Sequence, residues 1–397
     1  MRRRYDQLDS LRGLAAISVF LGHISIVTAT PFISFTVSSI VFLPLKVFIG
    51  KSSYSFVNFF FVLSGFVLFL LFTKGKTKNY GGFIISRFFR IYIPYIVAVT
   101  VSIITYLSFS KGGIKELSGW FNLSWTVPLT LKDMLDHIMM IGNFNTNLYN
   151  NVLWSLVQEM RVSLIFPIIA VIIIRVKWHV SLLMCFCLSF ISGLNNIFNW
   201  ENSLGYHTSF FASLQIISMF ILGSLLAKHL YQLIEIYVIL TKNNKIVLLI
   251  FTVSCFIYNE ALTVVANHLG IYQYGEIMSD YSIGVGSVLV ILISLASIRV
   301  QSVLLIKPLL FLGRISYSLY LYHLPILFSL IYVFYKILPL WSILIISIPL
   351  AIITAHISWL IIERPASRYG KILASKVETF LKKRLVINGK YKVDKTA

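Results

Sequence analysis

The chain has 397 residues, of which 58% are hydrophobic and 12% are charged, and its mean hydropathy is +0.85. Soluble domains carry about a quarter charged residues, so this composition excludes an ordinary water-soluble enzyme and predicts an integral membrane protein. The net charge of +20 does not indicate a nucleic-acid partner, because the basic residues stand in short clusters without zinc-ligand spacing or a basic recognition helix.

Ten stretches are long and apolar enough to cross a bilayer as helices, for which roughly 20 residues are needed. In chain order they lie at about 13–33, 55–73, 91–109, 154–174, 180–198, 209–228, 246–265, 281–298, 315–335 and 339–362. The sequence therefore predicts an all-α, polytopic transmembrane helical bundle of about ten spans over residues 1–365, followed by a basic cytoplasmic tail over 366–397.

The distribution of lysine and arginine predicts the orientation, because cytoplasmic segments carry an excess of these residues. With a cytoplasmic N-terminus that includes Arg2, Arg3 and Arg4, only six of the 34 basic residues fall in outside segments. These six are Lys46, Lys51, Lys111, Lys115, Lys132 and Lys336. We therefore predict that both termini are cytoplasmic, that the protein lies in the cell (inner) membrane, and that the basic tail lies on its anionic inner leaflet.

The first span carries Asp9, Arg12 and His23 on one helix face. Arg12 and His23 are eleven residues apart, which at about 100° per residue brings both to the same face with a rise of about 16 Å. Ionisable side chains inside a span are costly and suggest function by default. The residues alone leave two interpretations open: a functional stripe, or a helix-end arginine with a histidine satisfied by a neighbouring helix.

Ser64 and Gly65 stand among bulky rings in the second span. Small residues at such a position allow a neighbouring helix to approach closely. Ser64 would act as a nucleophile only with a base beside it. The packing interpretation is therefore favoured for this pair.

Arg87 and Arg90 precede the third span and lie on the same helix face, since they are three residues apart. Two guanidinium groups in this arrangement can bind phosphates through paired hydrogen bonds. Taken alone, the pair is more typical of a cytoplasmic anchor that sets the topology.

Glu159 and Arg161 lie two residues apart near the start of the fourth span, so their side chains point to different sides of the helix. They cannot neutralise each other, and each needs its own partner or a wet cavity. Because this span enters from outside, we expect Glu159 to lie one to two turns deep. There its carboxylate could orient the imidazole of His23, as in pairs of a base and an orienting group.

Several other polar residues are interpreted first as packing or anchoring groups. They are His323 in the ninth span, His356 in the tenth, and Glu363 at the inner end of the tenth. The long outside segment at about 110–153 contains Trp120, Trp125 and several asparagines. These side chains can stack on or hydrogen-bond to a sugar, but they are more ordinary in an interfacial loop.

The same places resemble the motifs of the family 3 membrane acyltransferases, which O-acylate carbohydrates of the cell envelope. Six short motifs occur in order, each in the expected span, between about Leu8 and Pro365. They are Arg12 with His23; Phe60-Phe61-Val62-Leu63-Ser64-Gly65; Arg87 with Arg90; Trp154-Ser155-Leu156 with Glu159; Ser316 to Pro325; and Glu363-Arg364-Pro365. Met160 and Arg161 depart from the family pattern beside Glu159.

The resemblance implies an enzyme that moves an acyl group, acetyl being the commonest case, from cytoplasmic acyl-CoA to a hydroxyl of an envelope carbohydrate such as O-antigen or exopolysaccharide. It implies His23 and Glu159 as catalytic residues and Arg12, Arg87 and Arg90 as acyl-CoA-binding residues. We further predict supporting roles for four residues. These are Asp9, Ser64, Arg161 and His323.

Acyl-CoA is expected as a co-substrate, with no bound cofactor and no metal, since no cluster has metal-ligand spacing. The expected partners are the carbohydrate acceptor and the lipid bilayer; the sequence predicts no oligomeric state. A transporter or flippase for a polar or lipid-linked solute is the alternative, although no matching pair of interrupted helices in two halves supports it. Whether His23 acts as a base or carries the acyl group covalently is left open.

Overall fold

The computed structural model describes residues 5–28, 53–74 and 80–387. Within these ranges the regular elements are helices, with two isolated β-bridges and no strand. Several predicted features lie outside the described residues. They are Arg2, Arg3 and Arg4, the outer end of the first span, Lys46, Lys51, and the tail after residue 387.

The helices are numbered in chain order. They are α1 (Asp6–Ser25), α2 (Ser53–Lys74), α3 (Tyr80–Phe109), α4 (Leu131–Met139), α5 (Leu153–Arg175), α6 (Trp178–Phe198), α7 (Phe210–Lys228), α8 (Leu230–Ile239), α9 (Lys242–Ile257), α10 (Asn259–His268), α11 (Gly275–Ala296), α12 (Ile298–Leu304), α13 (Lys307–Phe334), α14 (Leu340–Ser358) and α15 (Arg364–Ile387). A π-helical segment, Trp359–Glu363, joins α14 to α15.

Each of the ten predicted spans overlaps a helix or a bent pair of helices in the described part of the chain. Among the described residues, 8 helices are long and apolar enough to cross a membrane, or up to 9 if the bent pair α9 and α10 is one span. Helix α1 has 20 residues but carries Asp6, Asp9 and Arg12 in its first half. The prediction of a helical, multi-pass membrane protein is thus confirmed, while the number of crossings and the orientation stay predictions.

Two predicted spans differ in shape from the structure. The stretch 246–265 is bent by 64° between α9 and α10, where the buried side chain of Asn259 donates to Ser279 Oγ of α11 at 2.8 Å. Helix α1 ends at Ser25 rather than near residue 33. Just beyond this end, the Ser118 amide donates to the Val27 carbonyl at 2.9 Å, so the backbone of the loop after α3 makes the bond that the next helical turn would have made.

Helices α1 and α13 run parallel and touch backbone to backbone. A Cβ atom placed on Gly13 would lie 2.6 Å from the amide nitrogen of Gly313, and one placed on Gly313 would overlap the carbonyl of Asp9. Ten residues beyond these glycines, His23 lies against His323. The equal spacing on both helices shows that they run in the same direction and in register.

Helices α2 and α7 make a second close contact. A Cβ atom on Gly65 would overlap the backbone of Phe220, and one on Gly223 would overlap the Val62 carbonyl. The close-packing interpretation of Gly65 is therefore confirmed. The contact also holds Ser64, the preceding residue, in a half-buried position.

Helix α15 continues from the π-helical segment and packs along α3. Gly370 of α15 lies against Phe89, and Gly82 of α3 lies against Glu378. The division predicted at residue 365 thus falls within continuous helix, and its meaning as a domain boundary stays a prediction. The packing supports the first three turns of α3, which carry Arg87 and Arg90.

The contact between α1 and α13 predicts a large effect for Gly313→Val. Added side-chain atoms at a packed position cost about 1–3 kcal/mol, and here they would force two backbones apart. We expect a lower unfolding temperature of the detergent-solubilised protein, measured by differential scanning fluorimetry. Gly119→Val is the control, because a Cβ atom there meets nothing within 4 Å; equal effects of the two variants would contradict the close contact.

Candidate active site

Arg87 and Glu159 form an ion pair between α3 and α5. Arg87 Nη2 donates to Glu159 Oε1 at 2.6 Å, and its Nε donates to Ser163 Oγ at 3.1 Å. Ser64 Oγ lies 3.4 Å from the same carboxylate oxygen. The Arg87 side chain is buried, whereas that of Glu159 is 21% exposed. Three residues that the sequence singled out separately are thus brought to one place.

The predicted contact between Glu159 and His23 is wrong, because Glu159 bonds to Arg87 and Ser64 while His23 bonds to His323. Arg87, predicted to precede the third span, and Glu159, predicted to lie one to two turns inside the fourth, nevertheless meet side chain to side chain. Helix α3 begins at Tyr80, eleven residues before the apolar stretch. Arg87 therefore lies about two turns inside a helix, level with Glu159 on α5.

Arg12 and Arg90 lie beside this pair, and we call Arg12, Arg87 and Arg90 the arginine cluster. Arg12 Nη1 donates to Asp9 Oδ1 at 3.1 Å. Its electrostatic neighbours include Arg90, Glu159 and Arg87. The three arginines predicted to bind one ligand are therefore grouped, even though they come from two different helices.

The members of the arginine cluster differ in how many hydrogen bonds they already make to other protein groups. Arg87 is held by Glu159 and Ser163, and Arg12 by Asp9. Arg90 is exposed, and no described residue accepts a hydrogen bond from it. Arg90 is thus the member whose guanidinium is available to an incoming anion.

Glu363, which the sequence predicts to be an anchoring group, lies beside the arginine cluster. Its Oε2 accepts from Ser318 Oγ at 2.6 Å, and its charged neighbours include Arg90 and Arg12. It stands at the end of the π-helical segment, and such segments occur frequently at functional sites. The Glu363-Arg364-Pro365 motif was the available signal, but nothing in it indicated which helix Glu363 would face.

His23 and His323 form a pair further along α1 and α13. His23 Nδ1 and His323 Nε2 are 3.0 Å apart, and the ring planes are 22° apart with centroids separated by 5.2 Å, so the two rings meet edge to edge through these nitrogens. His323 is fully buried, whereas His23 is half-buried. His323, first interpreted as a packing residue, is therefore the ring partner of His23.

The loop after α3 covers the C-terminal end of α1. Ser118 Oγ donates to the Ile26 carbonyl at 2.6 Å, and the Trp120 ring stacks on His23 with centroids 5.1 Å apart and planes 13° apart. Trp125 is buried, with Nε1 donating to the Tyr149 carbonyl at 2.8 Å. Of the two tryptophans considered for sugar stacking, Trp125 thus holds the loop together and Trp120 holds the His23 ring.

Arg161 lies apart from the arginine cluster and joins loops to α5. Its guanidinium donates to five oxygen atoms of neutral groups and lies 4.1 Å from the centroid of the Phe210 ring. The acceptors are the carbonyls of Ile141, Gly142, Thr208 and Ser209, and Ser213 Oγ. The expectation that Glu159 and Arg161 have separate partners is confirmed, and the contacts of Arg161 are those of a structural residue.

Asp280 is a buried carboxylate that the sequence analysis missed. Asn58 Nδ2 donates to its Oδ1 at 2.6 Å, and Gln215 Nε2 donates to its Oδ2 at 3.3 Å. It lines a polar cavity of about 190 Å³ at the ends of α6, α7 and α11. Asp280 stands one residue before the predicted eighth span, so the hydropathy boundary excluded it; helix α11, however, begins at Gly275 and includes it.

The comparison with protein families now decides the class of this protein. The acyltransferase-domain model of family 3 matches residues 5–363. The chain belongs to the family 3 acyltransferases. Because the match extends through the helical bundle, the protein is a multi-pass membrane acyltransferase. No curated protein and no solved structure matches the chain significantly.

The matched region of this acyltransferase includes the arginine cluster, the histidine pair, Glu159 and Glu363. Family membership also disfavours the transporter alternative, because the matched domain is that of an acyltransferase.

The ion pair between Arg87 and Glu159 predicts strong coupling of their substitutions. Arg87→Ala leaves the Glu159 carboxylate unpaired, and breaking a buried pair costs about 3–5 kcal/mol; partial exposure of Glu159 places the effect at the lower end. We expect Arg87→Ala to lower the unfolding temperature clearly in the wild-type background. The same substitution should lower it much less in a protein that already carries Glu159→Ala.

The control for this cycle is the pair of Glu116 and Lys336, whose atoms are 3.4 Å apart on side chains 56% and 73% exposed. An exposed pair contributes less than about 1 kcal/mol, so its cycle should show little coupling. Additive effects of Arg87→Ala and Glu159→Ala would show that the pair is not formed in the folded protein.

Proposed function

We propose that this acyltransferase moves an acyl group, acetyl in the commonest case, from cytoplasmic acyl-CoA to a hydroxyl of an envelope carbohydrate such as O-antigen or exopolysaccharide. The observation that carries the proposal is the spacing along α1. The arginine cluster lies at the level of Arg12, and His23 lies about 16 Å further along the helix. A donor with phosphates at one end and a thioester on a long arm matches this separation.

The donor phosphates are held at the arginine cluster. Arg90 offers a guanidinium with free donors, and Arg12 is 19% exposed beside it. Arg87 has a different role, since Glu159 and Ser163 hold it in place. It adds positive charge to the cluster and fixes the packing of α3 against α5.

The acyl transfer takes place at His23. A neutral imidazole is suited to accept a proton near pH 7. A nitrogen of His23 takes the proton of the acceptor hydroxyl, and the hydroxyl oxygen attacks the thioester carbonyl carbon. A C–O bond forms, the C–S bond breaks, and the proton passes from His23 to the CoA thiolate.

A covalent route is the alternative chemistry at the same residue. The acyl group would then pass first to a nitrogen of His23, with release of CoA, and afterwards to the hydroxyl oxygen. An acyl mass on the peptide that contains His23, trapped without acceptor, would distinguish this route from direct transfer.

The orientation of the reaction is part of the proposal. The excess of basic residues in the alternating cytoplasmic segments supports a cytoplasmic N-terminus in the inner membrane. Helices α1 and α13 run parallel, as alternation requires of the first and ninth spans. The arginine cluster then faces the cytoplasmic donor, and the histidine pair lies toward the outer loop, where the acceptor sugar arrives.

His23→Ala is expected to reduce acyl transfer by at least about 100-fold, since general-base catalysis contributes roughly 10²–10⁴. The measurement is covalent transfer of labelled acetyl from acetyl-CoA to glycan in membranes, with protein amounts matched. His356→Ala is the control, because that histidine packs against Phe311 and Trp359. Normal transfer by His23→Ala would overturn the proposed function, and movement of glycan without covalent transfer would favour a flippase.

Arg90→Gln is expected to weaken binding of acetyl-CoA about tenfold or more with little change in kcat, because hydrogen bonds to charged groups contribute about 1.5–3 kcal/mol. Binding is measured directly with labelled acetyl-CoA. Arg175→Gln is the matched control, an exposed arginine in the last turn of α5. An unchanged dissociation constant for Arg90→Gln would remove Arg90 from the donor site.

A further inference from the structure

The histidine pair carries an inference that rests on the proposed function and goes further. We propose that His323 is a positioning residue that fixes the protonation of His23, so that Nε2 of His23 is the atom that accepts the proton from the sugar hydroxyl. A chain of hydrogen bonds runs from a backbone carbonyl, through His323, to His23.

The first step concerns the carbonyl of Leu319. It lies 3.0 Å from Nδ1 of His323, one helical turn earlier on α13. A carbonyl oxygen only accepts hydrogen bonds, so Nδ1 of His323 must carry a proton. In a neutral imidazole the other ring nitrogen, Nε2, is then an acceptor.

The second step concerns the contact between the rings. Nε2 of His323, as an acceptor, lies 3.0 Å from Nδ1 of His23. Nδ1 of His23 must therefore carry the proton of this hydrogen bond. In neutral His23 the remaining nitrogen, Nε2, is left with a free lone pair.

The surroundings keep His323 neutral. It is fully buried, and its ring neighbours are Phe20 at 5.2 Å and Tyr320 at 5.9 Å between centroids. Burying an unpaired charge is strongly unfavourable, and the hydroxyl of Tyr320 is occupied with Ser155 at 2.7 Å. Nε2 of His323 therefore remains an acceptor, and the hydrogen bond always runs from Nδ1 of His23 to Nε2 of His323.

His23 is held on a face and on an edge, which leaves its remaining nitrogen available. Trp120 stacks on one face of the ring, and His323 bonds to Nδ1. No described residue makes a hydrogen bond to Nε2, and the side chain is half-buried rather than enclosed. Nε2 is thus the free hydrogen-bonding atom of a ring that cannot easily rotate.

His323 does for His23 what a carboxylate does in other pairs of base and orienting group, but without a charge. It selects the tautomer, and it continues to accept from Nδ1 after Nε2 takes up a proton. A neutral partner stabilises the resulting cation less than a carboxylate would. The proton on His23 is therefore short-lived and is passed readily to the departing thiolate.

The test compares His323→Gln with His323→Phe in the full-length protein. Glutamine places an amide oxygen near the position of Nε2 and can accept from His23, whereas phenylalanine keeps the ring packing but has no acceptor. We expect kcat to fall on the order of 100-fold for His323→Phe and less than about tenfold for His323→Gln, since loss of tautomer control is costly. The KM for acetyl-CoA should stay unchanged in both.

A spectroscopic measurement on the wild-type protein keeps the test independent of activity and of whether the variants fold. Nitrogen-15 NMR of histidine-labelled wild-type protein in detergent, with the His23 signals assigned by their loss in His23→Ala, reports which ring nitrogen is protonated. We expect the proton on Nδ1 of His23 in the wild type and a shift toward Nε2 in His323→Phe.

Two results would overturn the inference: a wild-type His23 with its proton on Nε2, or equal activities of the Gln and Phe variants. Both differ from the failure of the proposed function, which is full transfer activity in His23→Ala. The NMR result stands in either case, because it needs no substrate.

Discussion

The candidate site depends on the contact between α1 and α13 at Gly13 and Gly313. In lipid, the hydrophobic effect does not drive helices to associate. Close van der Waals contact between small residues is therefore a main source of the association free energy. The absence of both Cβ atoms lets the two backbones touch. Because the helices are parallel, that contact brings His23 and His323 within hydrogen-bond distance ten residues further along.

The second constraint is the cost of charge inside the bundle. An unpaired buried ion costs several kcal/mol, and the main buried charges of the described residues have protein partners. Arg87 has Glu159 and Ser163, Arg161 has backbone carbonyls, and Asp280 has two side-chain amides. The hydrogen-bonding groups that remain available are mainly the guanidinium of Arg90 and Nε2 of His23. They lie at the two ends of the proposed reaction path.

Much of the fold could be predicted because hydropathy is a local property. Each apolar stretch of sufficient length corresponds to a helix, and the motif positions on α1, α3 and α5 identified Arg12, His23, Arg87 and Glu159. The predictions failed where a helix begins several residues before the apolar stretch that marks it in the sequence. Helix α3 begins at Tyr80 and α11 at Gly275, so Arg87 was predicted to precede the span and Asp280 was overlooked.

The sequence by itself determined the helices, the class of enzyme and most of the residues that meet at the site, because spacing along one chain segment and short ordered motifs carry that information. Only the tertiary structure decided the partners. Glu159 bonds to Arg87 rather than to His23, and His323 takes the place at His23 that Glu159 was expected to hold. The physical reason is that such pairs depend on the distance and rotation between helices far apart in sequence, which are set by backbone contacts such as that of Gly13 with Gly313.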